Sequence, residues 1–66
     1  MERVRIKWAA ARVNANLTQD DVAKKMNVSK NTVVAWEKYK SEPSISQAKE
    51  LANMYSIPLD MIDTVG

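Results

Sequence analysis

Apolar residues recur along this chain at helical spacing in five places, with polar punctuation between them. Trp8, Ala11 and Ala15 fall at i, i+3 and i+7. Arg12 sits beside them, and Ala9 and Ala10 raise helix propensity, so the spacing predicts a first helix from about Ile6 to Asn14. Val22, Ala23 and Met26 form a stripe at i, i+1 and i+4, which predicts a second helix starting near Gln19. Val33 and Trp36, three apart, give the buried side of a third helix over Lys30 to Glu37. Ile45, Ala48, Leu51, Ala52 and Tyr55 follow the 3.6 period of a fourth, ending at Met54 or Tyr55. Ser56 and Ile57 break that pattern. Pro58 then occupies a helix-start position before a short fifth helix, Leu59 to Ile62, with Ile57, Leu59 and Ile62 sealing the bundle.

The residues between the stripes carry matching start and stop signals. Thr18 with Asp21, and Ser44 with Gln47, have the spacing of capping boxes, and Ser29 is a further N-cap. Asp20 and Asp21 oppose the positive end of the second helix's dipole. Asn27 ends that helix where a sharp turn needs the left-handed conformation, and Asn tolerates this best after Gly. Val28 then turns inward as a plug. The polar run from Lys38 to Pro43 connects the third and fourth helices, and Pro43 stops either from running through it.

Five helical segments, one Gly and two Pro leave little room for hairpins, and the expected fold class is all-α. At 66 residues the chain is one domain, near the lower limit for an unassisted core. Without Cys or His it has neither disulfides nor the usual zinc site, and no glycine-rich phosphate loop is present. The residues therefore imply no metal, no cofactor, no small-molecule ligand and no enzyme. No run approaches the ~18 apolar residues of a membrane helix, and no signal peptide is visible, so a soluble, cytoplasmic protein is expected. Residues 1–5 alternate basic and apolar and read as an arm that could set Arg3 or Arg5 against a phosphate or a minor groove. Residues 63–66 read as a tail that anchors nothing. Met61 and Val65 leave an apolar excess near the C-terminus, which reads either as a dimer surface or as ordinary exposed residues.

Net charge is +2, but its distribution is uneven. Residues 1–40 hold nine Lys or Arg against four acids, and residues 41–66 one Lys against four acids. A basic front with an acidic back is the footprint of a nucleic-acid binder presenting one face. The third helix sharpens that reading. Its first turn holds Lys30, Asn31 and Thr32 where acids would favour the helix dipole, and a DNA phosphate is a good reason for their absence. Its outward side, with Lys30, Asn31, Val34, Ala35 and Lys38, is small and polar, as entry into a major groove requires.

Thr18 to Glu37 resembles the helix-turn-helix of the phage repressor and Cro family, the Xre type of regulator. The resemblance runs from Trp8 to Ile62, through Ala10 to Gln19, Trp36-Glu37, Glu42-Pro43-Ser44 and Ile57 to Ile62. It departs at two glycine positions of that family, filled here by Asn27 and Tyr39. It implies a compact five-helix, lambda-repressor-like DNA-binding domain with the second and third helices as the motif. It also implies a structural ion pair between Arg12 and Glu37, bracing the first helix against the end of the third. A planar guanidinium can hold a carboxylate bidentately in a partly buried site.

The reading is a sequence-specific, DNA-binding transcriptional regulator, a phage-type repressor. Lys30, Asn31, Val34 and Ala35 are the expected base readers: Asn31 suits adenine, Lys30 guanine, and the Val34 methyls a thymine methyl. Gln19, Ser29, Thr32, Lys38, Tyr39, Lys40 and Ser41 are the expected phosphate contacts, with the Gln19 amide also steadying Lys30 or Asn31. The partner is double-stranded DNA with a two-fold operator, bound by a homodimer. The alternative is an antitoxin-like module that uses the same fold to bind another protein. Whether the chain is a whole regulator or the N-terminal piece of a longer one stays open.

Overall fold

A computed structural model of the chain describes residues 4–66. In chain order it has a two-residue strand β1 (Ile6–Lys7), helices α1 (Trp8–Asn14), α2 (Gln19–Met26), α3 (Lys30–Glu37) and α4 (Ile45–Met54), a 3-10 turn (Leu59–Met61) and a second short strand β2 (Ile62–Asp63). The fold is a helix-turn-helix of the all-α class, with four α-helices where five were expected.

Local chemistry fixes where the helices begin. Thr18 Oγ1 accepts the Asp21 N–H at 3.0 Å while the Asp21 carboxylate accepts the Thr18 N–H at 2.9 Å, completing a capping box. Those bonds lower the Asp21 pKa, the Thr18 backbone N–H contributing most. Ser44 and Gln47 form the same reciprocal pair at the start of α4. Ser29 Oγ caps α3 by accepting the Thr32 N–H at 3.2 Å.

All four helices end alike. Asn16, Asn27, Tyr39 and Ser56 are left-handed, with φ of 59°, 58°, 59° and 56°. In each case the next residue's N–H returns to a carbonyl five positions back: Leu17 to Arg12, Val28 to Ala23, Lys40 to Ala35 and Ile57 to Ala52. That bond satisfies carbonyls the helix would otherwise orphan.

The core is made by Trp8 and Ala11 from α1, Val22, Ala23 and Met26 from α2, Val33 and Trp36 from α3, and Ala48, Leu51, Ala52 and Tyr55 from α4 and its cap, with Ile62 from β2. Trp8 meets Tyr55 edge to face, ring centroids 6.4 Å apart. Burial pushes the Tyr55 phenol up to about 12, with the nearby Glu37 charge acting in the same direction. Trp8 Nε1 is buried with no hydrogen-bond partner among the described residues.

Four expectations are corrected. The first helix starts at Trp8, because Ile6 and Lys7 are extended and pair in parallel with Ile62 and Asp63. The same pairing removes Ile62 from the fifth helix, which shrinks to a single 3-10 turn; Ile62 is extended and buried. Ile45 was expected in the core but is 77% exposed, since it is the first residue of α4, ahead of the turn that meets the bundle. The tail also anchors: Asp63 Oδ1 accepts the N–H groups of Val65 and Gly66 at 3.1 and 2.9 Å, which lowers the Asp63 pKa. Of the expected arm, residues 1–3 lie outside the described residues.

Candidate nucleic-acid interface

The geometry of α2 and α3 follows from the three residues between them. Asn27 in the left-handed region reverses the chain, Val28 is half-buried against the core, and Ser29 opens α3. Val33 and Trp36 are 1% and 4% exposed, which fixes the phase of α3. Lys30 and Asn31 are consequently exposed at its start, while Thr32, Val34 and Ala35 are partly exposed along its side. Lys38, Lys40 and Ser41 are exposed on the connection that follows. Ser29 and Thr32 hydroxyls lie 2.8 Å apart and hydrogen-bond one another at the helix start.

Beneath α3, Arg12 and Glu37 join α1 to the end of the third helix. Arg12 Nε donates to Glu37 Oε2 at 2.6 Å and Nη2 to Oε1 at 3.3 Å, a two-pronged contact. Arg12 Nη1 also donates to the Leu17 carbonyl at 2.9 Å, tying the loop before α2 to the same guanidinium. The side chains are 15% and 8% exposed. The hydrogen bond to Glu37 raises the Arg12 pKa further, against the opposing effect of burial. The Arg12 guanidinium thus stays charged at any pH the fold survives.

Gln19 joins this network. Its Nε2 donates to Glu37 Oε1 at 3.0 Å, so the amide is anchored to the brace and not to Lys30 or Asn31 as expected. Lys30 instead meets Asp20, Nζ to Oδ2 at 4.0 Å, with both side chains more than half exposed. In the sequence, Asp20 by itself carries only the signal of a helix-dipole partner. The usable signal was an acid in the first turn of α2 and a base in the first turn of α3, two turns that the motif brings together. A depression of about 320 Å3 lies among Arg12, Thr18, Gln19, Asp20 and Lys30. It offers donors to an anion, and Asp20 opposes one.

Tyr39 is the larger correction. It was placed among the phosphate contacts, but its hydroxyl donates to the Asp63 carbonyl at 2.7 Å and its backbone N–H to Trp36 O at 3.1 Å. A phenol has one hydrogen, so Tyr39 has no donor left for a phosphate. Desolvation raises its pKa.

A helix-turn-helix family profile matches residues 9–62. The chain is 43% identical over 47 residues to an uncharacterised HTH-type transcriptional regulator of Methanocaldococcus jannaschii, a match covering 71% of each chain. It is 38% identical over 48 residues to the cryptic phage CTXphi transcriptional repressor RstR of Vibrio cholerae, a match covering 73% of this chain and 43% of that repressor. No solved structure matches the chain at a significant level.

Proposed function

The chain belongs to the helix-turn-helix family, as a DNA-binding transcriptional regulator, and we propose that it represses transcription by laying α3 in the major groove of a two-fold operator. The outward face of α3 carries this reading. A buried Val33–Trp36 side leaves a side of small and polar groups slim enough to approach base edges. The family and the relatives' names speak for a binder and against an enzyme.

In this reading Asn31 pairs with adenine, Lys30 with guanine, and Val34 and Ala35 meet thymine methyls. Gln19, Ser29, Thr32, Lys38, Lys40 and Ser41 contact phosphates and set the docking register. Gln19 keeps one amide hydrogen for this after serving Glu37. Similarity to a phage repressor supports repression over activation.

One recognition helix covers few base pairs, so two copies are proposed, with half-sites about 10 to 10.5 base pairs apart or a multiple of that. Ile45 and Val65, 77% and 74% exposed, flank a groove of about 380 Å3 whose floor includes Trp8, Leu59 and Ile62, and this is the candidate face for the second copy. A cytoplasmic site of action goes with the role; no described helix is long and apolar enough to cross a membrane.

Selection of bound sequences from a random DNA pool tests the reading. A two-fold consensus is expected. On it, Asn31→Ala should cost about 1–3 kcal/mol and relax one base position, whereas Lys40→Ala should weaken all DNA alike and lower the salt slope by about one. If no sequence is enriched, specific DNA recognition is refuted. If Asn31→Ala leaves the ranking of sites unchanged, the base reader lies elsewhere on α3.

A further inference from the structure

Tyr39 holds a left-handed backbone, φ 59°, directly after α3 and its cap Lys38. That conformation disfavours a residue with a bulky side chain, so surrounding contacts must hold it there. The contacts come from both ends of the chain. Its hydroxyl donates to the Asp63 carbonyl in β2 at 2.7 Å and accepts the Trp8 N–H at 3.4 Å. Trp8 is the first residue of α1, whose N-cap Lys7 supplies no side-chain cap, so the Tyr39 oxygen satisfies a donor otherwise orphaned. The Lys7 ammonium lies 5.6 Å from the ring centroid. Gly66 lies so near the ring that a Cβ on it would fall 2.8 Å from Tyr39 Cγ, and the Asp63 carboxylate holds that turn in place.

From these contacts we infer that Tyr39 is a positioning residue for DNA binding. It fastens the end of the recognition helix to the β1–β2 pair and so sets the exposed Lys38 and Lys40 on either side of it. The link to Lys40 is direct, since the Lys40 N–H reaches the Ala35 carbonyl at 2.9 Å only because Tyr39 is left-handed. DNA affinity then depends on residues 62–66, which contribute no donor to the α3 face. The inference rests on the DNA-binding reading and adds to it a mechanical role for a side chain that touches no DNA.

Two substitutions separate positioning from stability. Tyr39→Phe keeps the ring and removes both hydroxyl bonds; Tyr39→Gly keeps the left-handed turn and removes the whole fastening. Both are measured for melting temperature, for affinity to the selected operator, and for the dependence of affinity on salt, all well below the melting point. Tyr39→Gly should bind about ten-fold more weakly, with a log–log salt slope shallower by about one to two, the value for one or two lost phosphate contacts. The order of preferred operators should not change. Lys40→Ala, which flattens the slope in the parent, should do little more in the Tyr39→Gly background. A lower melting point with affinity and slope unchanged would make Tyr39 a stabilising residue only and overturn the inference. If Tyr39→Gly does not fold, Tyr39→Phe decides, a parental slope refuting the inference and a shallower one supporting it. A parent that binds no operator fails both readings, whereas a parent that binds beside an unaltered Tyr39→Gly fails this one alone.

Discussion

Among the described residues the Glu37 carboxylate receives three hydrogen bonds, two from Arg12 and one from Gln19, in a site where its side chain is 8% exposed. Each partner comes from a different element, so this one acid connects α1, the start of α2 and the end of α3. Removing either member of the ion pair leaves the other charge in a mostly dry site, and breaking such a pair costs roughly 3–5 kcal/mol when burial is deep. Arg12→Met also frees the Leu17 carbonyl and should be the worse of the two. Glu37→Gln keeps an acceptor for Arg12 and a partner for Gln19 and should be milder. Melts of both single variants and the double variant test this as a cycle, with a coupling of about 1–3 kcal/mol expected for residues in direct contact. Additive losses below about 1 kcal/mol would make the pair no stronger than a surface salt bridge.

At the scale of elements, the helices that local chemistry defines are those the sequence announces. Thr18 with Asp21 and Ser44 with Gln47 bond across three residues, so the spacing is itself the interaction. The Val33–Trp36 interval likewise fixes the phase of α3, and with it the exposure of Lys30 and Asn31. The β1–β2 pair was invisible because two residues carry no period, and its partners are 56 positions apart. The inward turn of Tyr39 was hidden by the same pairing, since its acceptor belongs to Asp63. Helix ends were half legible. Asn27 announces its left-handed turn, while Ser56 carries no such signal, and only the bond from Ile57 to Ala52 makes the conformation visible. This difference makes a prediction. Asn tolerates the left-handed region through local hydrogen bonding, whereas most L-residues lose about 1–2 kcal/mol there. Glycine at these positions removes that strain but raises the entropy of the unfolded chain by an opposing amount of about 0.4–1 kcal/mol. Ser56→Gly should therefore raise the melting temperature and Asn27→Gly should leave it unchanged or lower it. An equal response at both sites would mean that side-chain identity does not set the strain at these helix ends.

The whole molecule is small enough that a few buried groups control its stability, and the two tyrosines make that control visible at high pH. Tyr55, 5% exposed, lies against Trp8 in the core, and its phenol is pushed up to about 12, first by burial and then by the Glu37 charge. Tyr39 is shifted the same way by desolvation. In the unfolded chain both ionise near the ordinary value of about 10. Above that pH the unfolded state binds fewer protons than the folded one, so stability falls as pH rises. The contribution of Tyr55 is complete below about pH 10 and is lost as pH climbs toward its folded value. Phenolate absorbance and helical circular dichroism, followed together through this range, should change in one cooperative step. Tyr55→Phe supplies the control: it should fold at neutral pH and lose its helices at a higher pH than the parent. Phenolates that form at the ordinary pH while the helices persist would show that Tyr55 ionises inside the folded domain. In that event its place against Trp8 would not be the dry site that the packing of α1 on α4 describes.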